Sequence, residues 1–280
     1  MGTLFGIGFR FSPLKGLLLA SVVALTPGIA AAQCGRDGSG FSSWLQQFKS
    51  KAAAQGISAS TLASALDGVT YDRKVISLDR GQRSFKLSFE QFYARRVSGS
   101  LIARGRSLMK THGSTLQRIE ARYGVPAPVI IAIWGLETGY GANSGNMSIL
   151  RSLAMLAYDC RRSEFFENEL IHALKIVQRG DMSPGQMRGG WAGEIGQTQF
   201  LASSYSKFAV DFDGNGRRDL IRSVPDMLAS TANFLKSYGW QTGQGWGPGS
   251  ANYNVIQEWN KAQVYVKTIS IMADKLAGRS

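Results

Sequence analysis

The residue with the clearest chemical potential is Glu137, the only charged residue in the run Val129–Gly141, VIIAIWGLETGYG. The run begins with apolar residues typical of a buried helix, and Gly139 and Gly141 predict where that helix ends. A carboxyl carried to the end of a buried helix loses hydration, which raises its pKa. Such a group suits general acid catalysis near neutral pH.

Aromatic residues surround this carboxyl in the sequence, because Trp134 precedes it and Tyr140 follows it. Aromatic faces stack on sugar rings, and they also lower the local polarity that a carboxylate needs. Two further polar motifs stand downstream, at Gly193–Phe200 (GEIGQTQF) and at Trp259–Asn260, with Tyr265 five residues later.

An acidic loop, DFDGNGRRD, matches part of a calcium-binding pattern. Oxygen-bearing side chains occupy positions one, three, five and nine of an EF-hand loop: Asp211, Asp213, Asn215 and Asp219. Gly216 stands at position six, but position twelve, normally glutamate, is Arg222. The alternative is a loop whose acidic side chains bond their own backbone as Asx-turns.

The N-terminal residues 1–32 predict a cleaved signal peptide, with a basic start, an apolar stretch at Gly16–Leu25 and a small-residue cleavage site at Ala30–Ala32. A membrane anchor is the weaker alternative, since the apolar stretch is short for a bilayer. A lipid-modified Cys34 is weaker still, because Gln33 precedes it where a small residue is expected. We therefore expect export and no membrane span after cleavage. The formal net charge of +13 suits a polyanionic partner such as a cell-wall polymer, with a generally solvated basic surface as the alternative, and export argues against nucleic acid.

Cys34 and Cys160 are the two cysteines of the chain. In an oxidising compartment an even pair predicts one disulfide, with two unrelated thiols as the alternative. Neither has a histidine nearby in the sequence, which argues against a catalytic thiol.

The rest of the chain predicts a mainly helical protein with little strand. The predicted helices are Ser39–Gln55, Ala59–Leu66, Ser88–Ala103, Ile102–Tyr123 with a break at Gly113, Val129–Glu137, Ser148–Tyr158, Glu164–Arg179, Pro225–Tyr238 and Val255–Ala277. The glycine-rich segment Gly180–Phe200 predicts loops or a small ribbon.

The order of these motifs resembles the membrane-bound lytic transglycosylase B family of bacterial cell-wall enzymes. The resemblance runs from about Leu78 to the C-terminus and rests on the sequence order ETGYG, RRSEFF, GQTQF, SSY, DFDGNG, ANFL and WN…Y. It implies a lysozyme-like core at residues 116–280 and a helical N-terminal subdomain at residues 33–115. The last helix, about 252–280, would pack back toward the helical part.

The resemblance also implies a function. Glu137 would be the catalytic acid and base that cleaves the β-1,4 bond between N-acetylmuramic acid and N-acetylglucosamine in peptidoglycan, without water, leaving a 1,6-anhydromuramic end. We expect a periplasmic monomer that requires no cofactor and carries at most a structural calcium ion. In relatives the last ligand of the acidic loop is a later aspartate, and Asp226 stands at about that place.

Three further residues match substrate-binding positions of the family, namely Gln199, Asn260 and Tyr265. The alternatives are core packing for Tyr265 and bonding to the loop backbone for Gln199. Phe234 and His112 replace tyrosines. Glu194 replaces a small residue, and a solvated loop charge is favoured there over a second cleft carboxylate.

Two other functions remain open from the sequence. A muramidase would use water and leave a reducing end, and a wall-binding module would not cleave at all. A lone acid in an apolar run argues against the binding module.

Overall fold

The computed structural model describes residues 34–81 and 87–279, so the predicted signal peptide lies outside the described residues. The described helices are α1 (Phe41–Ala54), α2 (Ala59–Leu66), α3 (Arg73–Arg80), α4 (Phe89–Arg96), α5 (Gly99–Thr111), α6 (Gly113–Tyr123), α7 (Ala127–Thr138), α8 (Ile149–Tyr158), α9 (Ser163–Gln178), α10 (Ala202–Phe208), α11 (Val224–Ser237), α12 (Ala251–Trp259) and α13 (Gln263–Leu276). Two short antiparallel strands, β1 (Met147–Ser148) and β2 (Arg188–Gly189), pair with each other.

Helix α7 is the buried element that carries Glu137. Its residues from Val129 to Leu136 are all buried, since the helix lies against α13, α5 and α11. It begins after Pro126 and ends at Thr138, where Gly139 adopts a left-handed conformation with φ of 61°. Glycine takes this conformation without steric cost, so the helix ends directly after the residue that bears the carboxyl.

Two long helices of the sequence prediction are interrupted in the structure. The predicted helix Ser88–Ala103 breaks at Val97, because Ser98 leaves the helical conformation and its hydroxyl accepts the Leu101 N–H to start α5. The predicted helix Val255–Ala277 breaks at Asn260, whose side-chain oxygen accepts the Ala262 N–H. In both cases a short polar side chain offers the backbone an alternative hydrogen bond.

A disulfide joins Cys34 to Cys160, as predicted, with the two Cα atoms 4.9 Å apart. Next to it, the Gly35 N–H donates to the Tyr158 carbonyl at 2.8 Å. The N-terminal end of the described chain is therefore fixed to the end of α8. Within the described residues, no helix is both long and apolar enough to cross a membrane.

The segment between α9 and α10 forms a small ribbon of loops against β1, as the glycine content predicts. Ile195 bridges to Gly189 on one side and to Phe200 on the other. This ribbon brings Glu194 and Gln199 to the same cavity as the end of α7.

Candidate active site

Glu137 lies at the wall of a cavity, and its side chain is largely enclosed by protein. The indole N–H of Trp259, at the end of α12, donates to its Oε1 at 2.8 Å. The buried hydroxyl of Tyr265, on α13, lies beside the same carboxyl. Arg96 donates to the Leu136 carbonyl at 2.6 Å, which holds its charge near the carboxyl.

Burial raises the pKa of Glu137 above its ordinary value, and the bonds from Trp259 and Tyr265 and the charge of Arg96 oppose this only in part. The negative end of the α7 dipole acts in the same direction as burial. The carboxyl is thus protonated over a wider pH range than a solvated glutamate. It can donate a proton to a bound group and later accept one.

The cavity beside Glu137 has a volume of about 490 Å³. Its lining combines carboxyl, amide and aromatic groups, including Glu194, Gln199, Phe200, Tyr238, Trp259 and Asn260. Such a lining fits a saccharide, because sugars offer hydroxyl groups to polar side chains and C–H faces to aromatic rings.

Gln199 is held by the loop that carries it. Its side-chain amide donates to the carbonyls of Ser144 and Gly196, at 3.2 and 2.8 Å, and its φ is 54°. A left-handed backbone at a non-glycine residue is uncommon and often marks a functional site. The side-chain nitrogen of Gln199 thus bonds the loop backbone, as in the alternative considered from the sequence, and the residue also lines the cavity.

Asn260 and Tyr265 lie on either side of the junction between α12 and α13. Asn260 lines the cavity and its side-chain oxygen accepts the N–H of Ala262, just before α13, whereas Tyr265 is 5% exposed and packs against Phe92. The ring of Tyr265 is therefore packed in the core, as in the alternative considered from the sequence. The break at Asn260 is relevant to the site because Trp259 is the last residue of α12 before it. The indole N–H of Trp259 donates to the Glu137 carboxyl.

Trp259 is a site residue that the sequence reasoning missed. It belongs to the WN motif, of which only the asparagine was assigned a role. Its ring packs against Phe200 and Phe234, with ring centres 5.2 and 4.9 Å away. Its place beside Asn260 in that motif, together with its indole N–H donor, was the sequence signal that could have identified it.

Glu194 is not a solvated loop charge, so that expectation is wrong. It lines the same cavity as Glu137, and its carboxyl accepts the Ala192 N–H at 3.0 Å. Burial raises its pKa, opposed by backbone N–H groups and by the charge of Arg162. Of the other two departures, Phe234 joins the aromatic wall, and His112 packs near Trp134 at the junction of α5 and α6.

In the acidic loop, three of the predicted calcium ligands lie close together. Carboxylate oxygens of Asp211, Asp213 and Asp226 all lie within 4.8 Å of one another. Asp219 stands outside this cluster and pairs with Arg222 at 2.7 Å, because the arginine at position twelve attracts it. The Asn215 oxygen accepts the Arg217 N–H, as in the Asx-turn alternative. The three clustered carboxylates are the hard oxygen donors that calcium prefers.

Comparison with known protein families gives one extensive match. The family model described as transglycosylase SLT domain matches residues 40–250. A segment of 129 residues is 40% identical to membrane-bound lytic murein transglycosylase B of Escherichia coli K12. That alignment covers 46% of this chain and 36% of the relative, so the match spans about a third of the relative's length.

Solved structures with the same fold include SltB3 from Pseudomonas aeruginosa in complex with NAG-anhNAM-pentapeptide. It is 32% identical with a TM-score of 0.81, over 85% of this chain and 80% of that chain. The Escherichia coli lytic transglycosylase Slt35 in complex with calcium has a TM-score of 0.75 over 88% of this chain and 96% of that chain, and its 24% identity indicates fold alone. The predicted fold class, mainly helical with a lysozyme-like core, is confirmed.

Proposed function

Because the chain belongs to the transglycosylase SLT domain family, we propose that it is a lytic transglycosylase of peptidoglycan. It cleaves the β-1,4 bond between N-acetylmuramic acid and N-acetylglucosamine and leaves a 1,6-anhydromuramic end. The observation that carries the proposal is the position of Glu137, a carboxyl with a raised pKa at the wall of a saccharide-sized cavity. The SltB3 complexes with NAG-anhNAM-pentapeptide and NAG-NAM-pentapeptide support the substrate class.

Glu137 performs both proton transfers in the proposed reaction. It first donates its proton to the glycosidic oxygen as the bond to the anomeric carbon breaks. The resulting carboxylate, held by the Trp259 N–H, then removes the proton from the C6 hydroxyl of the same muramic acid. That oxygen closes on the anomeric carbon, so the glutamate ends protonated and no water is consumed.

The geometry favours this route because the nucleophile belongs to the bound sugar. An intramolecular attack has little orientational entropy left to lose. The substrate's own N-acetyl group stabilises the positive anomeric centre. A second carboxylate, which most glycosidases need, is not required.

Three residues serve binding in this proposal. The oxygen of Gln199 and the amide of Asn260 face saccharide groups from the wall of the cavity. The Tyr265 hydroxyl orients the Glu137 carboxyl from within the core.

Mass analysis of the fragments released from purified peptidoglycan tests the proposal. The native protein should release muropeptides with anhydro ends, and Glu137→Gln should release almost none while still binding the wall. Release of fragments by the glutamine variant at the native rate would refute the assignment of Glu137. Binding without any release by the native protein would instead favour a wall-binding module.

Hydrolysis is a second candidate, because Glu194 places another carboxyl in the cavity. If Glu194 activates water, the products carry reducing ends and are heavier than anhydro products by one molecule of water. Digestion in ¹⁸O-labelled water would label those ends. The transglycosylase proposal predicts unlabelled products.

We also propose a structural calcium ion at Asp211, Asp213 and Asp226. The convergence of three carboxylates supports it, and so does the related fold of Slt35, which was solved in complex with calcium. The ion would tie the loop to the start of α11, away from Glu137, and would take no part in the reaction. Calcium should raise the melting temperature of the native protein and leave that of Asp213→Asn unchanged, whereas no rise in the native protein would refute the site.

The proposed setting is the periplasm of a Gram-negative-type envelope, with the protein working as a monomer on glycan strands. The predicted signal peptide and the Cys34–Cys160 disulfide support an oxidising, exported location. Fractionation of cells that express the full chain, combined with sedimentation analysis, would test both statements.

A further inference from the structure

Glu194 is a cleft carboxyl whose surroundings do not explain its presence. It lines the cavity with Glu137. Arg162, whose charge acts on it from a distance, is already paired with Asp79 at 2.5 Å. The Glu194 carboxyl accepts two backbone bonds, from the N–H of Ala192 and from its own N–H. A carboxyl with several oxygen lone pairs therefore faces the cavity with much of its acceptor capacity unused.

The side-chain oxygen of Gln199 lies close to this carboxyl. A methyl group placed on Gly190 would lie 2.1 Å from Glu194 Oε2 and 3.1 Å from Gln199 Oε1. Both oxygens thus stand at the same face of the Gly190 backbone. The orientation of Gln199 is fixed, because its nitrogen already donates to the Ser144 and Gly196 carbonyls.

When Glu194 is charged, its carboxylate and the Gln199 oxygen repel each other unless a donor lies between them. The amide nitrogen of Gln199 points to the loop, and the Ala192 N–H is directed to Glu194 alone among the described residues. A saccharide carries both hydroxyl and acetamido N–H groups, and a single such group would satisfy both oxygens.

We propose that Glu194 and Gln199 form an acceptor pair that binds one O–H or N–H group of the glycan in the subsite next to Glu137. The inference rests on the proposed function for the identity of the ligand as a peptidoglycan saccharide. It makes Glu194 a substrate-binding residue of this chain, at a position where a small side chain would leave Gln199 to act alone.

The first experiment measures binding without turnover. In a Glu137→Gln background, the dissociation constant of a tetrasaccharide purified from peptidoglycan is measured by calorimetry. Adding Glu194→Ala should raise it about tenfold, the value of one hydrogen bond to a charged group. Glu194→Gln should raise it similarly, because the new amide would donate to Gln199 Oε1 and occupy the acceptor.

A double-mutant cycle separates binding from a structural role. If both oxygens receive the same donor, Glu194→Ala combined with Gln199→Ala should weaken binding no more than about the larger single change. Glu120→Gln is the matched control, because it removes one negative charge from an exposed residue of α6. It should leave the dissociation constant within about twofold. Melting temperatures report any loss of fold.

Gly190→Ala supplies a second variant that keeps both side chains. Its new methyl group must displace the Glu194 carboxyl. It should weaken binding about as much as Glu194→Ala, and adding it to that variant should have little further effect.

Dissociation constants within about twofold of the background value for both Glu194 variants would overturn the inference, since a lost hydrogen bond to a charged group costs more than that. That result would leave the proposed function intact if the native protein still yields anhydro ends. If the native protein yields no anhydro ends but the Glu194 variants bind the tetrasaccharide more weakly, the proposed reaction is refuted and the acceptor pair is supported.

Discussion

The molecule holds two groups of carboxyls, one in the cleft and one in the acidic loop, that receive different numbers of hydrogen bonds. In the cleft, Glu137 accepts the Trp259 indole N–H and lies beside the Tyr265 hydroxyl, and Glu194 accepts the backbone N–H of Ala192 and its own backbone N–H. In the acidic loop, Asp211 accepts three backbone N–H groups, from Gly214, Asn215 and Gly216. Asp226, at the start of α11, likewise accepts three.

Burial and the number of donors together decide what each carboxyl can do, because burial keeps the pKa of Asp226 raised despite its three donors. Burial wins at Glu137 and raises its pKa, since few donors stabilise the charge. At Asp211 the slight burial is outweighed by the backbone bonds, and the pKa is lowered. A carboxyl with few donors can exchange a proton with a substrate, whereas an exposed one with many donors fixes the backbone and stays charged.

The largest expected effect is on the rate of cleavage by Glu137→Gln. Loss of the general acid should lower kcat by about 10²- to 10⁴-fold, while the fold is kept because glutamine fills the same space. Fragment release from purified peptidoglycan, followed over time, measures the rate. Asp211→Asn is the matched change in the other region, and a comparable loss of rate there would break the contrast.

The second-largest expected effect is on the stability of the protein and comes from a change in the acidic loop. Asp226→Ala would leave the N–H groups of Phe212, Asp213 and Asp219 without their acceptor. We expect a loss of about 2–4 kcal/mol in the free energy of unfolding, since each buried unpaired group costs about 1–3 kcal/mol. Urea denaturation measures it, and a loss below about 1 kcal/mol would show that the loop relaxes freely.

Much of the helical framework could be predicted from periodicity and caps. Helix α2 has the predicted ends, and α7, α8, α9 and α11 differ from prediction by at most about two residues at each end, within the usual scatter of helix boundaries. The predicted break at Gly113 is also present, between α5 and α6. Apolar residues at helical spacing, or the continuous apolar run of α7, together with flanking Ser, Pro or Gly residues, are the local signals for these helices.

The interruptions and the pairings could not be predicted in this way. At the break, the Asn260 side chain bonds the Ala262 N–H before the next helix, and the residue ahead of the break, Trp259, contacts Glu137. The burial of Glu194 depends on a ribbon that pairs with β1, a strand far earlier in the chain. Helices α3 and α10 were missed because each is short, at eight and seven residues, although the Asp72 side chain that caps α3 was a local signal for its start.

A smaller effect is expected from Trp259→Phe, which keeps an aromatic ring and removes the N–H bonded to Glu137. Without this donor, the charged form of the carboxyl loses stabilisation and its pKa rises further. The alkaline limb of the pH–rate profile should move up by about one pH unit. Trp246→Phe, whose indole N–H has no partner among the described residues, is the control, and an equal shift there would contradict the role of Trp259.

The smallest effect is a difference in how stability responds to pH. Because the folded pKa of Glu137 is raised above its ordinary value of 4.5, the folded state binds more protons than the unfolded state above that pH. The stability contributed by its neutral form is present at low pH and is lost as pH rises through the raised pKa. Glu137→Gln should therefore gain stability over the native protein with rising pH, with a slope of at most about 1.4 kcal/mol per pH unit.

The acidic loop should respond with the opposite sign. The pKa of Asp211 lies below its ordinary value of 3.8, so its contribution is present above that pH and is lost as pH falls through the lowered pKa. Asp211→Asn should thus be less stable than the native protein at neutral pH, and the gap should close in acid. Melting curves of both variants from acid to neutral pH, in chelator to exclude calcium, compare the regions directly. If both variants shift in the same direction at neutral pH, donor number does not govern these carboxyls, and the availability of Glu137 for proton transfer needs another cause.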